Sequence, residues 1–302
     1  MASLKLQILA SLLLCFNGLS SASPVQADID AIAAAAAAPV RADSAPSLKE
    51  TKWNPPANLV QALNAVWANQ MKKYSPRPDP LKFPNYGYKQ VVANKGKINF
   101  CVRWDSKTTA TPEIRATIDK VLKVQVKKWM DILVGFDGWP YTNVPVTVTG
   151  WAARSQNLLP GYNASEGFTF YNTKDRDGIP QCSEQCGRFF HQNGVYSQCP
   201  GGADKHYDMS LWLTDGMKGG AGGDWGQRIG SEMFLSQMKT TKDLHIFLHE
   251  MGHTFGLDDY YDWKPPGQTN FIMMAGSAMF ITEFDAWMMR DWWRHLRPTM
   301  GM

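Results

Sequence analysis

The sequence predicts an α+β protein. Three observations carry that expectation: strand-like segments come before residue 236, a helix-length apolar segment follows from Leu244, and a second helical segment closes the chain. With 302 residues, 44% hydrophobic and 12% aromatic, the chain can bury a sizeable core and does not have the composition of a disordered one.

The first residues, "MASLKLQILASLLLCFNGLSSASPVQA", set one lysine ahead of an apolar run from Leu6 to Phe16 and end in small residues. That is the pattern of a secretory signal peptide over residues 1–27, cleaved between Ala22 and Ala27. The run is too short to span a bilayer, and no later stretch is apolar for long enough. Residues 28–50, with "AIAAAAAAPVRADSAPS", read as a low-complexity linker or pro-segment, because side chains mostly no larger than alanine bury too little surface to offset their ordering entropy. Residues 51–96 form an N-terminal extension. In it Leu59, Leu63, Val66 and Trp67 share one face of a short helix entered through Pro55 and Pro56, and "SPRPDPLKFPNYGYK" follows as proline-punctuated coil.

The main domain is expected over 97–302. "KINFCVRW" reads as a strand, and Thr111 to Val134 as a helix with Pro112 and Glu113 in its first turn. "VPVTVTGWAA" is β-branched and alternating, hence a second strand. A long irregular region follows; then "HYDMSLWLTD" makes a third strand and "GDWGQRIGSEMFL" one or two more. In the closing segment, "TEFDAWMMRDWWRHL", Thr282 and Asp285 form a capping box, and the tryptophans and methionines are core.

Cys101, Cys182, Cys186 and Cys199 remain once Cys15 leaves with the signal peptide, and an even set suits two disulfides in an oxidising, extracellular compartment. Three connectivities are open. A zinc ribbon on "CSEQC" is the weaker reading, because ribbons need paired short spacings. Asn163, in "NAS", is a glycosylation candidate. The net charge of +4 is scattered, so nothing indicates a nucleic-acid partner; a secreted monomer with no membrane contact after cleavage is expected.

The informative stretch is "LHIFLHEMGHTFGLDDYYD". His249 and His253 lie one helical turn apart, so both imidazoles can share one metal ion at about 2.0 to 2.1 Å. Glu250 is turned about 100° from His249, beside the metal's open position, where it can accept a proton from a bound water whose pKa zinc lowers to about 7. From this chain's own frequencies the His-Glu-x-x-His spacing arises by chance about 0.003 times, and Gly256 with Asp259 lowers that a further ~200-fold. His245 reads as a packed residue.

"HEMGHTFGLDD" resembles the extended motif of the metzincin clan of zinc endopeptidases. The resemblance implies a twisted mixed sheet with the active-site helix above it and a small helical C-terminal subdomain. It also implies zinc ligands His249, His253 and Asp259, the general base Glu250, and a turn at Gly256. Most metzincins have histidine where Asp259 stands; aspartate places the chain nearer the snapalysin-like minority. "FIMMAGSAMF" is similar to the clan's methionine turn, with Met273 in that role and Met274 the alternative. The implied activity is hydrolysis of peptide bonds in protein or peptide substrates through a zinc-bound water activated by Glu250. The clan's sheet carries an antiparallel edge strand that lines the cleft, and "GGDWGQRIGSEMFL" is the candidate for it.

Other motifs read more plainly. Asp175, Asp177 and Gly178 in "KDRDGIPQ" form a polar turn in preference to a calcium loop, and the glycine-rich "DGMKGGAGGDWG" reads as a hairpin or cleft loop. The competing function is a secreted polysaccharide-binding protein, with Trp53, Trp67, Trp104, Trp139 and Trp151 as a flat platform, or an inactive metzincin-fold protein.

Overall fold

The computed structural model describes residues 49–74, 79–240 and 242–302; the expected signal peptide and all but the last two residues of the expected linker lie outside the described residues. The protein is α+β, built on one six-stranded mixed sheet. Strand β1 (Ile98–Asp105) is buried along its whole length, between β2 (Val146–Ala153) and β4 (Met209–Thr214), both parallel to it. Beyond β2 lies β3 (Thr169–Tyr171); beyond β4 lie β6 (Gly226–Gly230) and then β5 (Gly220–Gly223), which alone runs antiparallel.

Among the described residues the α-helices are α1 (Ala57–Tyr74), α2 (Gly87–Ala93), α3 (Pro112–Leu133), α4 (Ser231–Thr240), α5 (His245–Thr254) and α6 (Glu283–Leu296). Thr111 caps α3 by accepting from the Ile114 N–H, and Ile118, Leu122 and Val126 bury its apolar face. Helix α5 packs on β5 and β6 and against α3, where the Trp129 indole N–H donates to the Leu248 carbonyl at 3.0 Å. The expected capping box of α6 is present, with Asp285 accepting from the Thr282 N–H at 2.8 Å. Its Trp287, Met288, Met289, Trp292 and Trp293 are buried, as expected of core residues.

Three readings of the chain need correction. The coil expected around "NYGYK" contains α2, because Gly87 fits under the Phe255 ring, where a Cβ would meet ring carbon at 2.6 Å, and Tyr88 is wholly buried. The three-residue β3 falls in the region read as irregular. The antiparallel edge strand is β5, drawn from the glycine-rich stretch read as a hairpin or cleft loop, and with β6 it forms a hairpin; within "GGDWGQRIGSEMFL" the parallel β6 is followed by α4, which buries Phe234 and places Glu232 in its first turn.

The N-terminal segment 51–96 is built into the same core as the main domain: Leu59, Leu63, Val66, Tyr88 and Val91 pack in one apolar cluster with β1, α3 and α6. The cysteines pair as Cys101–Cys182 and Cys186–Cys199, tying β1 to the long segment after β3 and closing a loop within that segment. Two such bridges suit an oxidising compartment. Among the described residues no helix is long and apolar enough to cross a membrane.

Candidate metal centre

Helix α5 places His249 and His253 on one side, and each ring is oriented by a main-chain carbonyl. His249 Nδ1 lies 2.7 Å from the Ile272 carbonyl, and His253 Nδ1 lies 2.8 Å from the Leu257 carbonyl. With Nδ1–H donating there, the neutral form of each ring presents its lone pair at Nε2, the form in which imidazole binds a metal, whereas the protonated form donates from Nε2 instead.

The chain then reverses. Gly256 adopts φ 86°, its N–H bonds the His253 carbonyl, and the Leu257 N–H reaches back to Gly252, the two hydrogen bonds of a Schellman ending. The reversal returns Asp259 to the histidines: its Oδ1 stands 3.1 Å from His249 Nε2 and 3.4 Å from His253 Nε2. Ligand atoms at tetrahedral corners 2.0 to 2.1 Å from one zinc ion are about 3.3 Å apart, and the two separations from Asp259 Oδ1 are close to that value. The ligand atoms of His249, Glu250 and His253 also lie within 4.8 Å of one another. Asp258, the neighbouring acid, points instead to Lys73, with Nζ 2.8 and 2.6 Å from its two oxygens, and Asp262 is exposed.

Glu250 is buried beside this group, with Oε2 3.8 Å from His253 Nε2. Burial pushes its carboxyl above the usual carboxylate range, against the pull of the two imidazoles. Burial would also raise Asp259, but the hydrogen bonds from His249 and His253 outweigh it and hold that carboxylate well below its usual range. For His253 burial works downward, and the Asp259 and Glu250 carboxylates overcome it and lift the ring to about 9.

Met273 is fully buried with its sulfur against Gly252, one residue before His253; Met274 is only partly buried. The turn is held by Asp285, whose carboxylate accepts from the Ile272 N–H at 2.8 Å and the Met273 N–H at 3.1 Å. Asp285 was legible as a helix cap, but nothing local in the sequence announces its second task.

An open cleft of about 490 Å³ exposes the site. Gly220 to Asp224 form one wall, and Tyr74, Phe83 and Tyr86 contribute to another. Strand β5 comes this close only because Gly220 and Gly222 lack side chains: a Cβ on Gly222 would meet the Glu250 carbonyl oxygen at 2.1 Å, and one on Gly220 would meet the Glu250 carboxylate. Thr254 ties helix to strand by donating to the Gly223 carbonyl at 2.7 Å.

The remaining expected residues lie elsewhere. His245 is partly buried one turn upstream of His249, and its Nε2 has no hydrogen-bond partner among the described residues. Asn163 is exposed. The Asp175 carboxylate is occupied by Arg103 and by the N–H groups of Asp177 and Ile179, as a polar turn requires. The tryptophan platform does not form: Trp104, Trp139 and Trp151 are buried, while Trp53 and Trp67 pack edge-on to Trp287 and Trp292.

Compared with protein-family models, with curated proteins and with solved structures, the chain matches none. The likeness to metzincins therefore rests on the extended histidine motif and the methionine turn.

Proposed function

We propose that the protein is a secreted zinc-dependent endopeptidase with a metzincin-like active site. The observation that carries this reading is the placement of Asp259 Oδ1 at 3.1 and 3.4 Å from the two Nε2 atoms, with Glu250 buried beside them. His249, His253 and Asp259 would hold the ion. When bound, zinc supplies Lewis acidity and lowers the pKa of water in its open position.

The chain's own groups do the rest. Glu250, its carboxyl raised above the usual carboxylate range by burial, accepts the proton of the attacking water and passes it to the leaving amine as the water oxygen bonds the carbonyl carbon and the C–N bond breaks. The Ile272 and Leu257 carbonyls keep both imidazoles in the ligating tautomer. Strand β5, the last in the sheet order among the described residues, offers main-chain groups with which an extended peptide can pair. The two disulfides support export.

Metal analysis combined with casein digestion, comparing the wild type with Glu250→Ala, tests this. Zinc in both proteins, and at least a ~1,000-fold loss of hydrolysis in the variant, is expected for removal of the base. If the wild type holds zinc and both proteins are equally inert, the endopeptidase reading is lost.

A further inference from the structure

The chain reversal that presents Asp259 is braced from far upstream, by α1. Near the end of that helix the Lys73 ammonium donates to both oxygens of Asp258, at 2.8 and 2.6 Å. Asp258 Oδ1 in turn accepts the Asp259 N–H at 2.9 Å. One turn earlier, the buried Gln70 donates through Nε2 to the Gly256 carbonyl at 3.3 Å, and its Oε1 accepts the Trp292 indole N–H at 3.1 Å. The Tyr86 and Trp292 rings flank Gly256, where a Cβ would meet each at 3.2 Å. Helix α1 thus grips both ends of the segment Gly256–Asp259, and the Leu257 carbonyl that orients His253 lies between the two grips.

We propose that Lys73 is a positioning residue for the metal site: by holding the Asp258 carboxylate it fixes the backbone that aims Asp259 at His249 and His253. The proposal rests on the zinc reading above and deepens it, because it makes α1 part of the working molecule and not a removable pro-segment. The physical need is plain. Asp258 and Asp259 are adjacent acids, and a cation on the first keeps its charge paired away from the metal, leaving only the second to face the imidazoles. Asp258 is 13% exposed, so its pairing is shielded from solvent even though Lys73 is itself 54% exposed.

The test uses the full chain, stripped of metal by a chelator and titrated with zinc against a chromophoric competitor. Lys73→Met is expected to weaken zinc binding about 10-fold, the scale of lost support behind a ligand, and Lys73→Arg to restore most of it. The metal-free thermal midpoints of all three proteins should coincide, and hydrolysis by Lys73→Met should recover at saturating zinc. In the double variant Lys73→Met/Asp258→Asn the two losses should not add. Wild-type affinity in Lys73→Met overturns the positioning role alone. A loss that tracks a lower metal-free midpoint and is not rescued by arginine also overturns it, by showing a structural role. Failure of the wild type to bind zinc overturns both this proposal and the zinc reading.

Discussion

The sulfur of Met273 occupies the space a side chain at Gly252 would need: a Cβ there would lie 2.2 Å from Sδ and 3.4 Å from the Trp129 ring. Helix α5 and the methionine turn therefore meet without clearance between the two histidines. Gly252→Ala should destabilise the protein by about 1 to 3 kcal/mol through overpacking, although alanine is the better helix former. Denaturant unfolding measures this. Unchanged stability would mean that Met273 can step aside, and the turn would then not fix the helix.

Asp259 and Asp258 should separate cleanly in their effect on metal. Asp259→Ala removes the oxygen that faces both Nε2 atoms, so zinc affinity should fall more than about 100-fold, and hydrolysis with it. Asp258→Ala removes only the brace and should cost about 10-fold. Zinc titration of both variants, with the chelated wild type as the inactive reference, decides it. Zinc kept by Asp259→Ala and lost by Asp258→Ala would reverse the assignment.

His245 should make stability depend on pH. Burial, with a smaller contribution from His249, lowers its pKa from 6.5 to about 4, and its Nε2 has no partner among the described residues. The unfolded chain binds a proton near pH 6.5, whereas the folded one binds it only near pH 4. The stability carried by the neutral ring is therefore complete above about 6.5, declines as pH falls, and is gone below about 4, a change of at most about 3 kcal/mol. His245→Gln should flatten that part of the unfolding free energy measured between pH 7 and 4. An equally steep decline in the variant would assign the slope to other groups.

Much of the centre was legible because its geometry is local. His249, Glu250 and His253 are related by helical pitch alone, and Gly256 announces the reversal because only glycine takes that backbone conformation without strain. Thr111, Pro112 and Glu113, and Thr282 with Asp285, marked their helices for the same reason: a cap is settled within four residues. Strand β5 was legible only as part of a hairpin or cleft loop, not as the edge strand of the cleft. "GAGG" has no apolar alternation to read, and its glycines answer to the Glu250 backbone lying against them.

By itself the sequence determined the α+β class, the long helix and most strands, an even cysteine set and a metal-binding pattern on one helical face. Only the tertiary structure decided that Cys101 pairs with Cys182, that β4 lies beside β1, and that residues 57–93 belong to the same core. It also decided that Lys73 and Gln70, more than 180 residues upstream, hold the loop that carries Asp259. The division has one physical cause. Turns, caps and helical faces are fixed by backbone sterics over a few residues, whereas pairings across the chain depend on which buried surfaces fit together once folding has brought them into contact.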